Sequence, residues 1–215
     1  MKKLAMTKNK NEGLLITFCG LDGCGKTTMI ERLNREFGQN NPIFFTKEPT
    51  DNVRNSKIFR TYMDSEDHNE FDYRSLSLLA ASDRIQHVNK TILPMLNNKT
   101  IVISDRYYYS CLANLRARGF EKDKWIYEIS KYIIEPDIAF FLDVPVELAV
   151  SRVRSREDER ERFIDMDLQY RLREEYIKIC KKNNGILINS DGDESLCYEM
   201  IKKKVNKEIQ RKWKL

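Results

Sequence analysis

Histidine is scarce in this 215-residue chain. Only His68 and His87 occur, and neither has a partner set that suggests a triad or a metal site. The five cysteines, Cys19, Cys24, Cys111, Cys180 and Cys197, are odd in number and include no C-x-x-C pair. That usage argues against a disulfide framework and a zinc site, and a reducing cytoplasm fits it best. No apolar run approaches the roughly 20 residues a membrane span needs. The stretch from Met1 to Gly13 is rich in lysine and asparagine and has no apolar core, so it is not a secretory signal. It reads as a flexible tail over residues 1–12. Internal repeats, low-complexity segments and Pro/Gly-rich linkers are missing, which leaves residues 1–215 as a single domain.

What is present is the composition of a globular protein, 41% hydrophobic and 33% charged. The net charge is +5, and much of the excess lies at Lys202, Lys203, Lys204, Lys207, Arg211, Lys212 and Lys214. A solvated face on a terminal helix explains that cluster better than a nucleic-acid contact. Neither nucleic acid nor membrane is expected as a partner.

Short apolar runs alternate with longer helical patterns. The candidate strands are Leu14–Cys19, Pro42–Phe45, Thr100–Ser104, Asp137–Leu142 and Gly185–Ile188. They are apolar nearly throughout, as parallel strands buried on both faces are. Helical stretches separate them, including Tyr73–Leu96 and Asp165–Asn183. The rhythm predicts an α/β fold, a doubly wound five-stranded parallel sheet flanked by helices. Such folds bind ligands at the carboxyl ends of their strands, so the segments after each run should carry the chemistry.

After the first run comes Gly20-Leu21-Asp22-Gly23-Cys24-Gly25-Lys26-Thr27-Thr28, which fits G-x-x-x-x-G-K-[ST]. A strand precedes it and a helical run, Met29–Leu33, follows, which is the context a P-loop requires. Glycines let backbone N–H groups turn inward onto phosphate oxygens, and the helix N-terminus adds positive potential. Lys26 can reach the outer phosphates and the Thr27 hydroxyl can hold Mg²⁺. All nine residues are therefore candidate ATP-binding residues. A glycine-rich turn that binds nothing is the alternative.

Asp105-Arg106 follows the third run. The carboxylate can act on Mg²⁺ and the guanidinium can fork onto a phosphate, or the pair can simply cap the sheet. After the fourth run, Arg152, Arg154, Arg156, Arg160 and Arg162 interleave with Glu157, Asp158, Glu159 and Glu161. So many charges cannot be buried. One reading is a solvated helix. The other is a mobile lid over about residues 152–165, closing on a nucleotide and bringing Arg156 or Arg160 onto the transferring phosphoryl group. Lys47 follows the second run, and Arg84 stands on an otherwise small, apolar helix face where it can donate to a base carbonyl.

Taken in order, these motifs resemble the thymidylate kinase family of the nucleoside monophosphate kinases, from about Leu14 to Val205. The quoted residues are Asp22 in the phosphate loop, Lys47–Pro49, the A-S-D-R ending at Arg84, Asp105–Tyr107 with Ser110, Arg118-Gly119, Pro136–Val144 and the arginine-rich lid. The resemblance implies ATP- and Mg²⁺-dependent conversion of dTMP to dTDP. It gives catalytic roles to Lys26, Arg106, Asp22 and a lid arginine, and metal roles to Thr27 and Asp105. Phe45, Lys47, Glu48, Arg84, Arg106, Ser110 and Asn114 become acceptor-binding residues. Gly23 stands where some members carry an arginine, and members without it supply the arginine from the lid. A homodimer packed through helices such as Tyr73–Leu96 is a further implication.

The departures lie on the acceptor side. Ala80 replaces the phenylalanine that stacks on thymine, and Asn114 replaces a tyrosine that packs under the deoxyribose. Phe45, Tyr73 or Tyr108 could restore the lost stacking. Asn114 could hydrogen-bond a 2′-hydroxyl. A related kinase with another acceptor, and a nucleotide-binding protein without catalysis, are therefore the alternatives to a dTMP kinase.

Overall fold

Residues 2–65 and 71–214 are described by a computed structural model, and His68 lies outside them. In chain order the elements are β1 (Thr7–Lys8), β2 (Leu14–Cys19), α1 (Lys26–Phe37), β3 (Ile43–Lys47), α2 (Asp51–Arg54) and α3 (Lys57–Asp64). Next come α4 (Tyr73–His87), a π-helical turn (Val88–Ile92), α5 (Leu93–Asn97), β4 (Ile101–Asp105), α6 (Tyr108–Ala117) and α7 (Trp125–Ile129). The chain then forms β5 (Ile134–Glu135), β6 (Ile138–Asp143), α8 (Val146–Arg154), α9 (Met166–Lys182), β7 (Ile186–Asn189) and α10 (Glu194–Trp213).

The main sheet is parallel and five-stranded, in the order β3-β4-β2-β6-β7. This is the expected doubly wound architecture. β2 sits at its centre, between β4 and β6, and every residue of β2 is buried. The edge strands β3 and β7 are partly exposed, so continuous burial on both faces holds only for the three inner strands. Four of the five expected strands lie about one residue further along the chain than their apolar runs suggest. Polar strand ends such as Lys47, Asp105, Asp143 and Asn189 still pair, because the ladder uses backbone groups whatever the side chain.

The helices begin where short polar residues cap them. Asp72, Asp165 and Asp193 accept from backbone N–H groups in the first turns of α4, α9 and α10. The expected long helix Tyr73–Leu96 is interrupted. Pro94 lacks an N–H, and the helix passes through the π turn before α5.

Residues 2–12 are not a loose tail. Leu4 is buried against the core, its N–H donates to Asn183 Oδ1 at 3.0 Å, and Ala5 N–H donates to Ser130 Oγ at 2.9 Å. β1 pairs in parallel with β5, and Asn9 Nδ2 donates to Asp137 Oδ2 at 2.6 Å. One buried leucine and backbone pairing do what no apolar run announced.

Aromatic rings fill the core near the strand ends. Phe18 and Phe140 stack with centroids 5.1 Å apart, and Tyr109 packs on Phe141 at 5.3 Å. Tyr107 and Tyr108 are fully buried, their hydroxyls donating to Ile134 O at 2.8 Å and Ile126 O at 2.7 Å. They stiffen the segment after β4 that carries Arg106. No described helix is long and apolar enough to cross a membrane.

Candidate active site

Two cavities meet at the carboxyl ends of β2 and β4. The smaller, about 340 Å³, is lined by the loop Asp22–Met29 together with Asp105, Arg106, Arg152 and Arg156. The larger, about 570 Å³, lies between α2, α3, α4, α6 and the segment entering α9. Asp22, Lys47, Arg106 and Arg156 line both.

The loop after β2 has the backbone its sequence predicts. Gly23 and Gly25 adopt φ of 80° and 92°, in the region L-residues avoid. Gly25 is the N-cap of α1 and makes no side-chain cap, which leaves the first N–H groups of the helix aimed into the loop. A Cβ on Gly23 would lie 2.1 Å from Ala149 O of α8, so no larger residue fits there. Lys26 is buried, and its ammonium donates to Leu21 O at 2.7 Å and Gly20 O at 3.3 Å. Thr27 is exposed on the wall of the smaller cavity. Cys24 is fully buried, which keeps a thiol reagent from reaching it in this conformation.

Between the cavities Arg106 holds Asp22. Its Nη2 donates to Asp22 Oδ1, and its Nη1 donates to Tyr176 Oη at 3.0 Å and Gly20 O at 3.3 Å. The Arg106 guanidinium beside it, with Lys26 and Arg162 adding their charge, holds the Asp22 carboxyl far below the usual carboxylate range although the side chain is only half-buried. Arg106 itself has a φ of 67°, a left-handed conformation rare for a residue with a Cβ. Asp105 presents one carboxylate oxygen 3.9 Å from Lys47 Nζ, and its other oxygen is buried without a hydrogen-bond partner. No group of three or more His, Cys, Asp or Glu among the described residues could hold a metal ion by itself. Thr27 and Asp105 both line the smaller cavity, and their oxygens are of the kind that a divalent ion takes alongside phosphate oxygens.

The acceptor-side expectations divide. Lys47, Arg84, Arg106, Ser110 and Asn114 all line the larger cavity. Phe45 does not; its ring is partly exposed on the edge strand, two residues short of the strand end. Glu48 is completely buried behind the cavity, 2.9 Å from Arg84 Nε and 3.3 Å from His87 Nδ1. It holds Arg84 in place and does not face a ligand. His87, which sequence leaves without partners, also lies 2.9 Å from Thr46 Oγ1. Tyr108 is committed to the core, and of the three candidate stacking rings only Tyr73 reaches the cavity.

For several residues the sequence gives the type but not the contacts. Arg118 lies 3.9 Å from the Tyr73 ring centroid and donates to Tyr62 Oη at 2.7 Å and Asn114 Oδ1 at 2.8 Å. Helix α3 is thus joined to α6 across the cavity wall. In the arginine-rich segment, Arg162 lies 3.6 Å from Asp22 and pairs with Glu159, while Arg156 lines both cavities. Arg160 is exposed and lines neither. Arg152 donates to Gly23 O at 3.4 Å and Ser190 O at 3.3 Å, tying α8 to the phosphate loop.

The sequence pattern of the thymidylate kinase family matches residues 18–205. This chain belongs to the thymidylate kinase family. A protein named probable thymidylate kinase from Thermococcus kodakarensis is 36% identical over 174 residues, covering 78% of this chain and 84% of its own. One of the same name from Pyrococcus horikoshii is 36% identical over 172 residues, covering 79% and 83%. A third, from Staphylothermus marinus, is 32% identical over 200 residues and covers 91% and 96%. As a member of the thymidylate kinase family, the chain combines a complete phosphate loop with a second cavity at whose wall Ala80 and Asn114 both stand.

Proposed function

We propose that this chain is a phosphotransferase that moves the γ-phosphoryl group of ATP onto the phosphate of a nucleoside monophosphate, dTMP before others. The observation that carries the proposal is the Arg106–Asp22 pair, which stands where a phosphate-loop cavity opens into a second, cation-lined one. In-line transfer needs two anionic substrates end to end with positive charge at their junction, and Lys47 and Arg156, which line both cavities with the pair, leave that excess there.

In this reading the loop N–H groups and Lys26 hold the β- and γ-phosphates of ATP. Arg106 bridges the incoming acceptor phosphate and the group in transit. Arg156 and Arg162 lie close enough for a small lid movement to bring either onto the transferring phosphoryl oxygens, with Arg160 a less direct candidate. The acceptor phosphate is already ionised, so no strong general base is required. Mg²⁺, held by the nucleotide with Thr27 and Asp105, would supply charge neutralisation at the β- and γ-oxygens. Arg84 donates to a carbonyl on the acceptor base, its position fixed by Glu48.

A second acceptor has one observation in its favour. Asn114 stands at the cavity wall; its Nδ2 donates to Ser110 O at 2.9 Å and its Oδ1 accepts from Arg118, which leaves one amide hydrogen able to bond a ribose 2′-hydroxyl. A reducing cytoplasm is supported by five cysteines that are all free and buried. A homodimer through α4 is supported by the exposed Leu78 on that helix.

The test is ADP release with ATP and Mg²⁺ against dTMP, dUMP, UMP, dCMP, CMP, dGMP, dAMP and thymidine. Preference for dTMP supports the proposal. Preference for a ribonucleotide keeps the mechanism and replaces the substrate. ATP binding without turnover on any acceptor overturns it.

A further inference from the structure

Two cations lining the larger cavity, Arg54 and Arg60, lie outside the quoted motifs. Arg54 ends the four-residue helix α2 and lines the cavity wall with Arg106 and Lys47. Its Nε donates to Pro49 O at 2.7 Å, which fixes the plane of the guanidinium. Its terminal nitrogens donate to no protein group, and it makes no ion pair within 4 Å, among the described residues.

The other cations around it are differently placed. Arg84 is matched by Glu48, Arg106 by Asp22, and Arg162 by Asp22 and Glu159. Lys47 is directed toward Asp105 at 3.9 Å and keeps 56% of its side chain exposed. Arg118 is held between Tyr62 and Tyr73. Arg54 is half-buried with no such partner. Burial first, and then the like charge of Arg106, push its pKa below the usual arginine value, a fall that the charges of Asp105, Asp22 and Asp51 offset only in part. Holding two guanidiniums together in a partly desolvated wall is unfavourable unless an anion joins them. The planar fork of arginine suits an oxyanion with several oxygens better than a lysine does.

We infer that Arg54 clamps the acceptor's phosphate against Arg106, and that this duty belongs to Arg54 more than to Lys47. The clamp places the acceptor oxygen on the side of Arg106 that faces the phosphate loop. The inference rests on the proposed function for the existence of a phosphorylated acceptor, but not on the identity of its base.

The experiment measures calorimetric binding of dTMP and of thymidine to the full chain and to its Arg54→Ala, Arg54→Lys and Lys47→Ala variants. A charge-assisted contact predicts that Arg54→Ala weakens dTMP about 10- to 100-fold. Thymidine, which lacks the phosphate, should change less than about twofold, Arg54→Lys should fall between, and Lys47→Ala should lose less than Arg54→Ala. Equal losses for nucleotide and nucleoside mark a structural role and overturn the inference, as does undiminished dTMP binding. If the unsubstituted chain prefers another monophosphate, that nucleotide and its nucleoside replace the pair, and the prediction is unchanged. If the unsubstituted chain binds no monophosphate, the proposed function falls, and this inference with it.

Discussion

Glu48 and Arg84 form a buried ion pair, 2.9 Å apart, with side chains 0% and 3% exposed. The pair connects the loop after β3 to α4 and braces Arg84 at the wall of the larger cavity. Removing one partner leaves a buried charge unmatched, which costs about 3–5 kcal/mol. Glu48→Ala is therefore expected to destabilise the fold by that order, measured by urea denaturation. Acceptor affinity should fall with it, because Arg84 loses its anchor. An unchanged denaturation midpoint would show that the pair does not hold this wall.

Lys26→Ala should abolish turnover, by at least about 100-fold, since it removes the cation nearest the transferring charge. Acceptor binding should persist, because Lys26 lines only the smaller cavity. Steady-state rates and dTMP titration together check this. Unchanged turnover would remove the phosphate-loop mechanism.

Asp22 makes a prediction about pH. Its carboxyl is held below the ordinary range in the folded chain, chiefly by Arg106, so the unfolded chain takes up this proton first as pH falls. The stabilisation is complete above the unfolded carboxylate value, about 3.9, and is lost as pH falls below it toward the folded value. Stability should therefore decline less steeply between about pH 4 and pH 2 in Asp22→Asn than in the unsubstituted chain. Matching slopes in denaturant titrations at several pH values would contradict the assignment. Near neutral pH, Asp22 should contribute no inflection to kcat/KM.

Ala80 stands on α4 at the cavity wall, and Tyr73, which lines the same cavity, is covered on one face by Arg118. Ala80→Phe should tighten dTMP by about 1 kcal/mol, roughly fivefold, if thymine is the base that lies there. Weaker binding of the preferred acceptor in this variant would mean that the wall is built for a larger or differently shaped one.

In the arginine-rich segment, Arg156→Ala and Arg162→Ala are expected to lower kcat more than tenfold with smaller effects on acceptor KM. Arg160→Ala should stay within about threefold of the unsubstituted rate, as exposed positions away from special features usually do. Rate loss confined to Arg160→Ala would reassign the transferring arginine.

The parallel sheet and the phosphate loop were legible because their signals are local. Six residues, five of them apolar, before a glycine-rich loop leave few alternatives for Leu14–Thr28. Long-range pairing was not legible. Nothing in residues 1–12 indicates that Leu4 reaches Asn183, or that Thr7 and Lys8 find Ile134 and Glu135. At the site, sequence identifies charged residues next to strand ends, but not which face a ligand and which face each other. Glu48 and Lys47 are neighbours, yet one is sealed behind the wall and the other lines it, because side chains at a strand end alternate in direction. The tyrosines after Arg106 look equally available in sequence, and two of them spend their hydroxyls on carbonyls in the core.

The contact between Gly23 and Ala149 bears on how this protein could have diverged. Any side chain at position 23 collides with the backbone of α8, so an arginine could not be acquired there by one substitution. The loop and the helix leading to Arg156 would have to separate first, breaking the bond from Arg152 to Gly23 O. The lineage is thus committed: with the loop closed to a new cation, loss of the arginines after α8 has no single-step replacement at Gly23.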